Sequence, residues 1–537
     1  MHLLFIVLCV CFIGSGTADM PAKLKEKLDV RTLKENFMSY PSSEASKDAT
    51  KYHQKHIPND EAIVYLVKHG KDLVEVELTN ADDTLVKAVV DNCPNIKSFS
   101  INPEYFYILW PNLTDDGISA LTRLPQLDKL SLNIWYSDVS GAVVQSVLNA
   151  QQNLTQLTLW FMNVDACLDT ISKYTKLETL ELVQPYTTQK FATFLKSSTL
   201  AATLKSLDIH AGFELTYDDS VIKNLSAFTK LTTLILHGQT YNWTASEQTV
   251  QNLFNALTSL NELDITGLPI TSGISQSIGN ISQLRALRMD DLSQLTSIDF
   301  VVLFQKLAWL EDVSIGQYYG DFQASSLANL SLRKLSLVNC GSFWDPVFTE
   351  LCNVANIQKN LQELYIYGAL EIYSDSFEHL TKLKKLKTLR LELCPYFNDV
   401  SMKKISDPKF ASNLEALELS QVAISDASMS SLDNFKKLKA LMVYECFALT
   451  PDGTKALLKV KPFATNITKL YLEVPLKKEL LPLFGNFKKI DVLFIGNPHT
   501  KLSSIFDLPN IKKNHTFCLT YDGIEFSWKA FTKGYSK

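Results

Sequence analysis

One motif, apolar-x-x-apolar-x-apolar, recurs along almost the whole of this 537-residue chain and limits the folds open to it more than any other feature. It begins at Leu73 (LVEVEL) and Ile96 (IKSFSI) and continues from Leu127, Leu154, Leu177, Leu204, Leu231, Leu260, Leu284 and Leu310. Further copies start at Leu332, Leu361, Leu386, Leu414, Leu438, Ile467 and Ile490, with a degraded copy around Phe517 and Leu519. The mean interval is about 26 residues, within the range of solenoid repeats. In each core the fourth and sixth positions alternate with polar ones, the period of a half-buried strand. Between cores, apolar residues fall at helical spacing, as in Val143, Val144, Val147 and Leu148, or Met429, Leu432 and Phe435. A strand, a turn and a helix of this length cannot bury a face alone, whereas stacked copies can. Length alone suggests three or four globular domains; the repeat replaces them with one α/β array. Parallel strands line one side and helices the other, and because helices are wider the strands take the concave face.

Over residues 61–525 the pattern and period resemble the leucine-rich-repeat superfamily, with about 18 repeats. From Leu310 onward the intervals alternate short and long, pairing into units of 52 to 54 residues, and Cys340, Cys394 and Cys446 each lie eight residues after a core leucine. This is similar to the cysteine-containing and ribonuclease-inhibitor-like subtypes, in which that position is Cys or Asn and points into the core. Elsewhere it holds Ala81, Trp135, Met162, Gly212, Leu292 or Pro498, so the ladder is incomplete. At about 4.8 Å per strand, cysteines two repeats apart are too distant to bridge and are expected as buried thiols. A Cys340–Cys352 pair within one repeat stays open.

Residues 1–18 read as a secretory signal peptide: an apolar run from Leu3 to Ile13, then Gly16 and Ala18 at the small positions before a cut after Ala18. A polar arm over 19–60 follows, with a loop expected from Ser42 to Lys55 and a capping helix from Asp60 to Lys68. Residues 517–537 supply a closing apolar cap. No later stretch reaches transmembrane length, so no membrane insertion is expected after cleavage. Eight N-x-[ST] sequons suit an exported chain: Asn112, Asn153, Asn224, Asn242, Asn280, Asn329, Asn466 and Asn514. An intracellular F-box-like substrate adaptor is the alternative if the leader is not used, but residues 19–60 do not show that motif.

Catalytic signatures are missing, and no Cys/His spacing suits zinc, so neither an enzyme, a metal nor a cofactor is expected. His53 and His56 read as polar arm residues, and the acidic doublets Asp82-Asp83, Asp115-Asp116, Asp218-Asp219 and Asp290-Asp291 as helix caps. Lys+Arg 52 against Asp+Glu 57 lacks the basic excess that tracks phosphates, which argues against nucleic acid. What remains is recognition. Outward positions on the strands turn aromatic late in the chain, giving Tyr365, Tyr367, Tyr444, Tyr471 and Phe494 as a candidate contact patch, with Trp160 and Phe161 as a smaller one. The resemblance implies a non-catalytic extracellular protein that takes a protein or glycan partner on its concave face. The alternative it implies is a secreted enzyme inhibitor of the ribonuclease-inhibitor-like type.

Overall fold

A computed structural model describes residues 51–53 and 59–473, apart from 80, 103–112, 136, 162, 184–186, 213, 342 and 461–464. Beyond 473 it describes residues 480, 483, 492–496, 516–521 and 524–527. Among the described residues, twenty strands form one sheet. They join in chain order, each parallel to the one before, from Lys51–His53 to Thr516–Tyr521, and Ile524–Ser527 closes the sheet antiparallel. Each leucine core from Leu73 to Ile490 opens two residues ahead of a strand: Leu73 precedes Glu75–Leu78, Leu177 precedes Thr179–Val183, and Leu386 precedes Thr388–Glu392. The architecture is a leucine-rich-repeat solenoid, with parallel strands on the concave face and helices behind them.

Register explains why the leucines recur. Leu180, Leu207, Leu234, Leu263 and Leu287 pair in sequence across five strands, and all are fully buried. The residues between them face the other way and stay half-exposed in most strands, as the alternation of a strand requires.

The alternating intervals after Leu310 have a structural counterpart. Short intervals carry 3-10 segments (Ala324–Leu327, Ser376–Lys382, Asp426–Asn434), whereas long ones carry α-helices such as Asp345–Asn353, Asp399–Ile405 and Pro451–Leu458. A 3-10 turn rises about 2.0 Å per residue against 1.5 Å in an α-helix, so fewer residues cover the same strip of sheet. Met429 and Leu432 therefore lie in a 3-10 segment, a correction to the helix expected there. The other segment is an α-helix, Gly141–Ala150, and buries Val144, Val147 and Leu148.

Three of the four acidic doublets serve helix N-termini, whereas Asp290 accepts the Gly267 N–H and Asp291 the Ser293 N–H, neither at a helix start, which corrects the expectation for that pair. Asp82 accepts the Leu85 N–H at 2.7 Å and Asp218 the Val221 N–H at 2.9 Å. The second aspartate of a pair can reach the next repeat. Asp83 accepts from the Thr114 N–H and hydroxyl at 2.8 and 2.6 Å, and Asp219 accepts from the Ser246 N–H and hydroxyl, both at 2.8 Å. Thr114 and Ser246 are the N-cap residues of the following helices, so one carboxylate ties two repeats together.

Cys93, Cys167, Cys340, Cys352, Cys394 and Cys446 are buried free thiols, so Cys340 and Cys352 do not pair. The ladder cysteines have one job: Cys394 Sγ lies 3.4 Å from the Glu392 carbonyl and Cys446 Sγ 3.5 Å from that of Tyr444, at strand ends. Burial pushes the Cys394 thiol up to about 12, which keeps it unreactive.

An aromatic seam runs behind the sheet. Phe300 stacks on Tyr318 at 4.6 Å, and contacts continue through Phe322, Phe343, Phe348 and Phe377 to Phe397. At the start, Lys51–His53 pairs with Glu75–Leu78, so a strand stands inside the segment expected as loop. The capping helix runs Asn59–His69 and buries Ala62 and Leu66. The signal segment, most of the arm and the C-terminal residues after 527 lie outside the described residues. Among the described residues no helix is long and apolar enough to cross a membrane.

Candidate recognition surface

The middle of the concave face is polar and crowded. Glu181 pairs in register with Asp208, and Val183, His210 and His237 form the row two residues further on. Glu181 accepts the Trp160 indole N–H at 2.6 Å and the Thr158 hydroxyl at 3.1 Å. His210 Nε2 is 3.1 Å from Asp208 Oδ1, His237 Nε2 is 3.1 Å from Asp264 Oδ2, and the two imidazoles meet edge to face at 4.3 Å. Arg288 then bridges Glu262 and Asp312, both at 2.8 Å. Burial, reinforced by the neighbouring Asp208, pushes the Glu181 carboxyl above its ordinary value, against the Trp160 bond.

The His237–Asp264 contact sets a pH dependence. Burial works against the charged imidazole, but Asp264, with Asp208 and Asp290 nearby, outweighs it and holds the His237 pKa above the ordinary value. Burial likewise opposes the Asp264 carboxylate, yet His237, Thr266 and Arg288 hold its pKa down. A raised imidazole stabilises fully below its unfolded value of about 6.5 and loses that contribution as pH rises through the folded one. The lowered carboxyl contributes above about 3.9 and loses its share as pH falls. The thermal midpoint should therefore fall between pH 6 and pH 9, and fall less in His237→Gln. Parallel melting profiles for the two proteins over that range would remove the pair from the account.

The expected aromatic patch is only partly on the surface. Tyr365 and Tyr367 are half-buried; Tyr365 donates to Glu392 at 3.0 Å and lies beside the Arg390 guanidinium, 5.9 Å from its ring centre. Tyr444 and Tyr471 are buried, with rings edge to face at 6.1 Å, and Met442 in the same row is fully buried. Trp160 is half-buried and anchored to Glu181, while Phe161 is core, because strand alternation ends at Trp160. Phe494 sits in the strand Val492–Gly496, but its side chain lies outside the described residues. Exposed contact by Tyr444, Tyr471 or Phe161 is thus corrected.

Sequence reasoning missed a different row. In six successive repeats the residue just after the strand has left-handed backbone: Gln317, Asn339, Gly368, Leu393, Gln421 and Glu445, with φ from 47° to 74°. The chain turns sharply there and throws out a loop at the C-terminal edge of the sheet. Exposed at this rim are Tyr319, Trp344, Leu370, Tyr373, Tyr396 and Phe447, the last 87% exposed. Tyr373 and Tyr396 touch at 4.8 Å, and Tyr319 packs against Gly341, where a Cβ would come within 2.7 Å of its ring. Tyr319, Leu370, Tyr396 and Phe447 all fall three or four residues past a strand end, the signal by which the row could have been found.

The sequons divide by burial. Asn280 and Asn329 are exposed, Asn153, Asn224 and Asn466 half-buried, and Asn112 and Asn514 lie outside the described residues. Asn242 is buried; its Nδ2 donates to the Gly212 and Leu215 carbonyls at 3.2 and 2.6 Å, and its Oδ1 accepts the Gln239 N–H. The nitrogen that a glycan would need is committed inside the fold, which corrects the expectation for that site.

The stacked strand and helix units define a leucine-rich-repeat solenoid. No family model matches the chain. Among solved structures, the yeast Rad7 and Elc1 complex aligns at TM-score 0.38 and 13% identity, over 94% of this chain and 98% of that one. A Listeria monocytogenes internalin (inlF) aligns at TM-score 0.31 and 15% identity, over 71% and 93%. The TLR13-ssRNA13 complex aligns at TM-score 0.37 and 17% identity, over 88% and 78%.

Proposed function

We propose that this chain is an exported, glycosylated, non-catalytic recognition protein whose rim aromatics and adjoining concave face bind a protein partner. The observation that carries the reading is the exposed row Tyr319, Trp344, Leu370, Tyr373, Tyr396 and Phe447 along one sheet edge. Aromatic side chains are costly to leave in water and are the residues on which binding energy concentrates. Export is supported by the leader-like residues 1–18, and glycosylation by the exposed Asn280 and Asn329. The test is affinity capture from extracellular fluid with the glycosylated chain as bait, run beside a Tyr373→Ser/Tyr396→Ser/Phe447→Ser variant. A species retained by the unaltered chain and lost from the variant supports the reading, whereas identical retention by both removes the rim from it.

The inhibitor reading draws on one feature, the half-buried carboxylates of Glu181 and Asp208 on adjacent strands, which suit a basic enzyme. It requires the captured species to be such an enzyme and to lose activity when bound.

A further inference from the structure

We propose that Glu181, Asp208 and His210 form a site for one divalent transition-metal ion of the zinc class on the concave face. One ligand atom from each lies within 4.8 Å of the others. A tetrahedral ion with bonds of about 2.1 Å sets its ligand atoms about 3.4 Å apart. His210 Nε2 and Asp208 Oδ1 already stand 3.1 Å apart, so only the Glu181 oxygen has to close in. One imidazole nitrogen and two carboxylate oxygens suit a borderline cation such as zinc better than magnesium, which prefers oxygen alone and keeps its waters. Three protein ligands leave a fourth position for water or a donor from a partner.

Two further features point to a cation. Glu181 and Asp208 stand side by side on adjacent strands, and among the described residues no lysine or arginine forms an ion pair with either. Asp208 Oδ1 is a buried atom that His210 Nε2 approaches without an aligned hydrogen bond. The surroundings are those of a metal ligand. Trp160 and Thr158 each donate to one Glu181 oxygen and fix its orientation, while Ile235, paired with Asp208, adds an apolar wall.

The chain as purified, stripped with chelator, is titrated with zinc chloride by calorimetry and by thermal melting. The proposal expects one zinc per chain, a raised melting temperature, no response to magnesium, and at least tenfold weaker zinc binding in His210→Ala and in Glu181→Gln. No zinc response in the unaltered chain, or unchanged binding in both variants, overturns it. Cobalt(II) added to the unaltered chain decides independently of how the variants fold: visible absorption of a low-symmetry four- or five-coordinate ion is expected, and a spectrum of hydrated cobalt alone overturns the site.

Discussion

Phe348→Ala is expected to destabilise the array by about 3–5 kcal/mol, the usual cost of deleting a buried aromatic ring. Phe348 is fully buried and touches Phe343 at 5.9 Å and Phe377 at 5.6 Å, so it joins two successive repeats. In a stack where each repeat meets only its neighbours, weakening one junction also weakens the coupling across it. Scanning calorimetry should show a lower first transition and, in place of one cooperative melt, two resolved ones. A loss below about 1 kcal/mol with a single transition would show that the aromatic seam does not couple the repeats.

The second large effect lies on the surface. Replacing Tyr373, Tyr396 and Phe447 together by serine should weaken partner binding at least about 100-fold, because hot-spot aromatics each contribute on the order of 2 kcal/mol. All three are exposed, so the melting temperature should stay nearly unchanged. That contrast separates the rim from the seam: Phe348→Ala acts on melting, the rim substitutions on affinity. Equal loss of stability in both would mean that the rim residues serve the fold.

The difference between these rows shows what was legible in the sequence. Seventeen leucine cores could be read because their positions relative to one another are written along the chain, and each one opens a strand. The alternating intervals after Leu310 were visible, but the 3-10 form of the short ones was not, because Met429, Leu432 and Phe435 sit at helical spacing. The strand Lys51–His53 has no leucine core and left no such mark. Burial at the strand ends was harder. Phe161 reads as outward if alternation continues past Trp160, and Tyr444 and Tyr471 read as exposed if neighbouring rows are ignored. The rim was hidden because left-handed residues as unlike as Leu393 and Gln421 make the same turn. The Glu181, Asp208 and His210 cluster escaped any search by spacing. Asp208 and His210 share one strand, but Glu181 comes from the preceding repeat and joins them only through the register of adjacent strands. For the same reason, no metal was expected from Cys and His spacing alone.

The central claim is that the molecule acts by contact along the strand face and its C-terminal edge. Hydrogen–deuterium exchange of the chain, free and saturated with its captured partner, tests it most directly. The account predicts slowed exchange in the loops around 317–322, 369–375, 393–398 and 445–449, with the helices behind the sheet unchanged. Slowing confined to those helices, with the four loops exchanging as in the free chain, would contradict it.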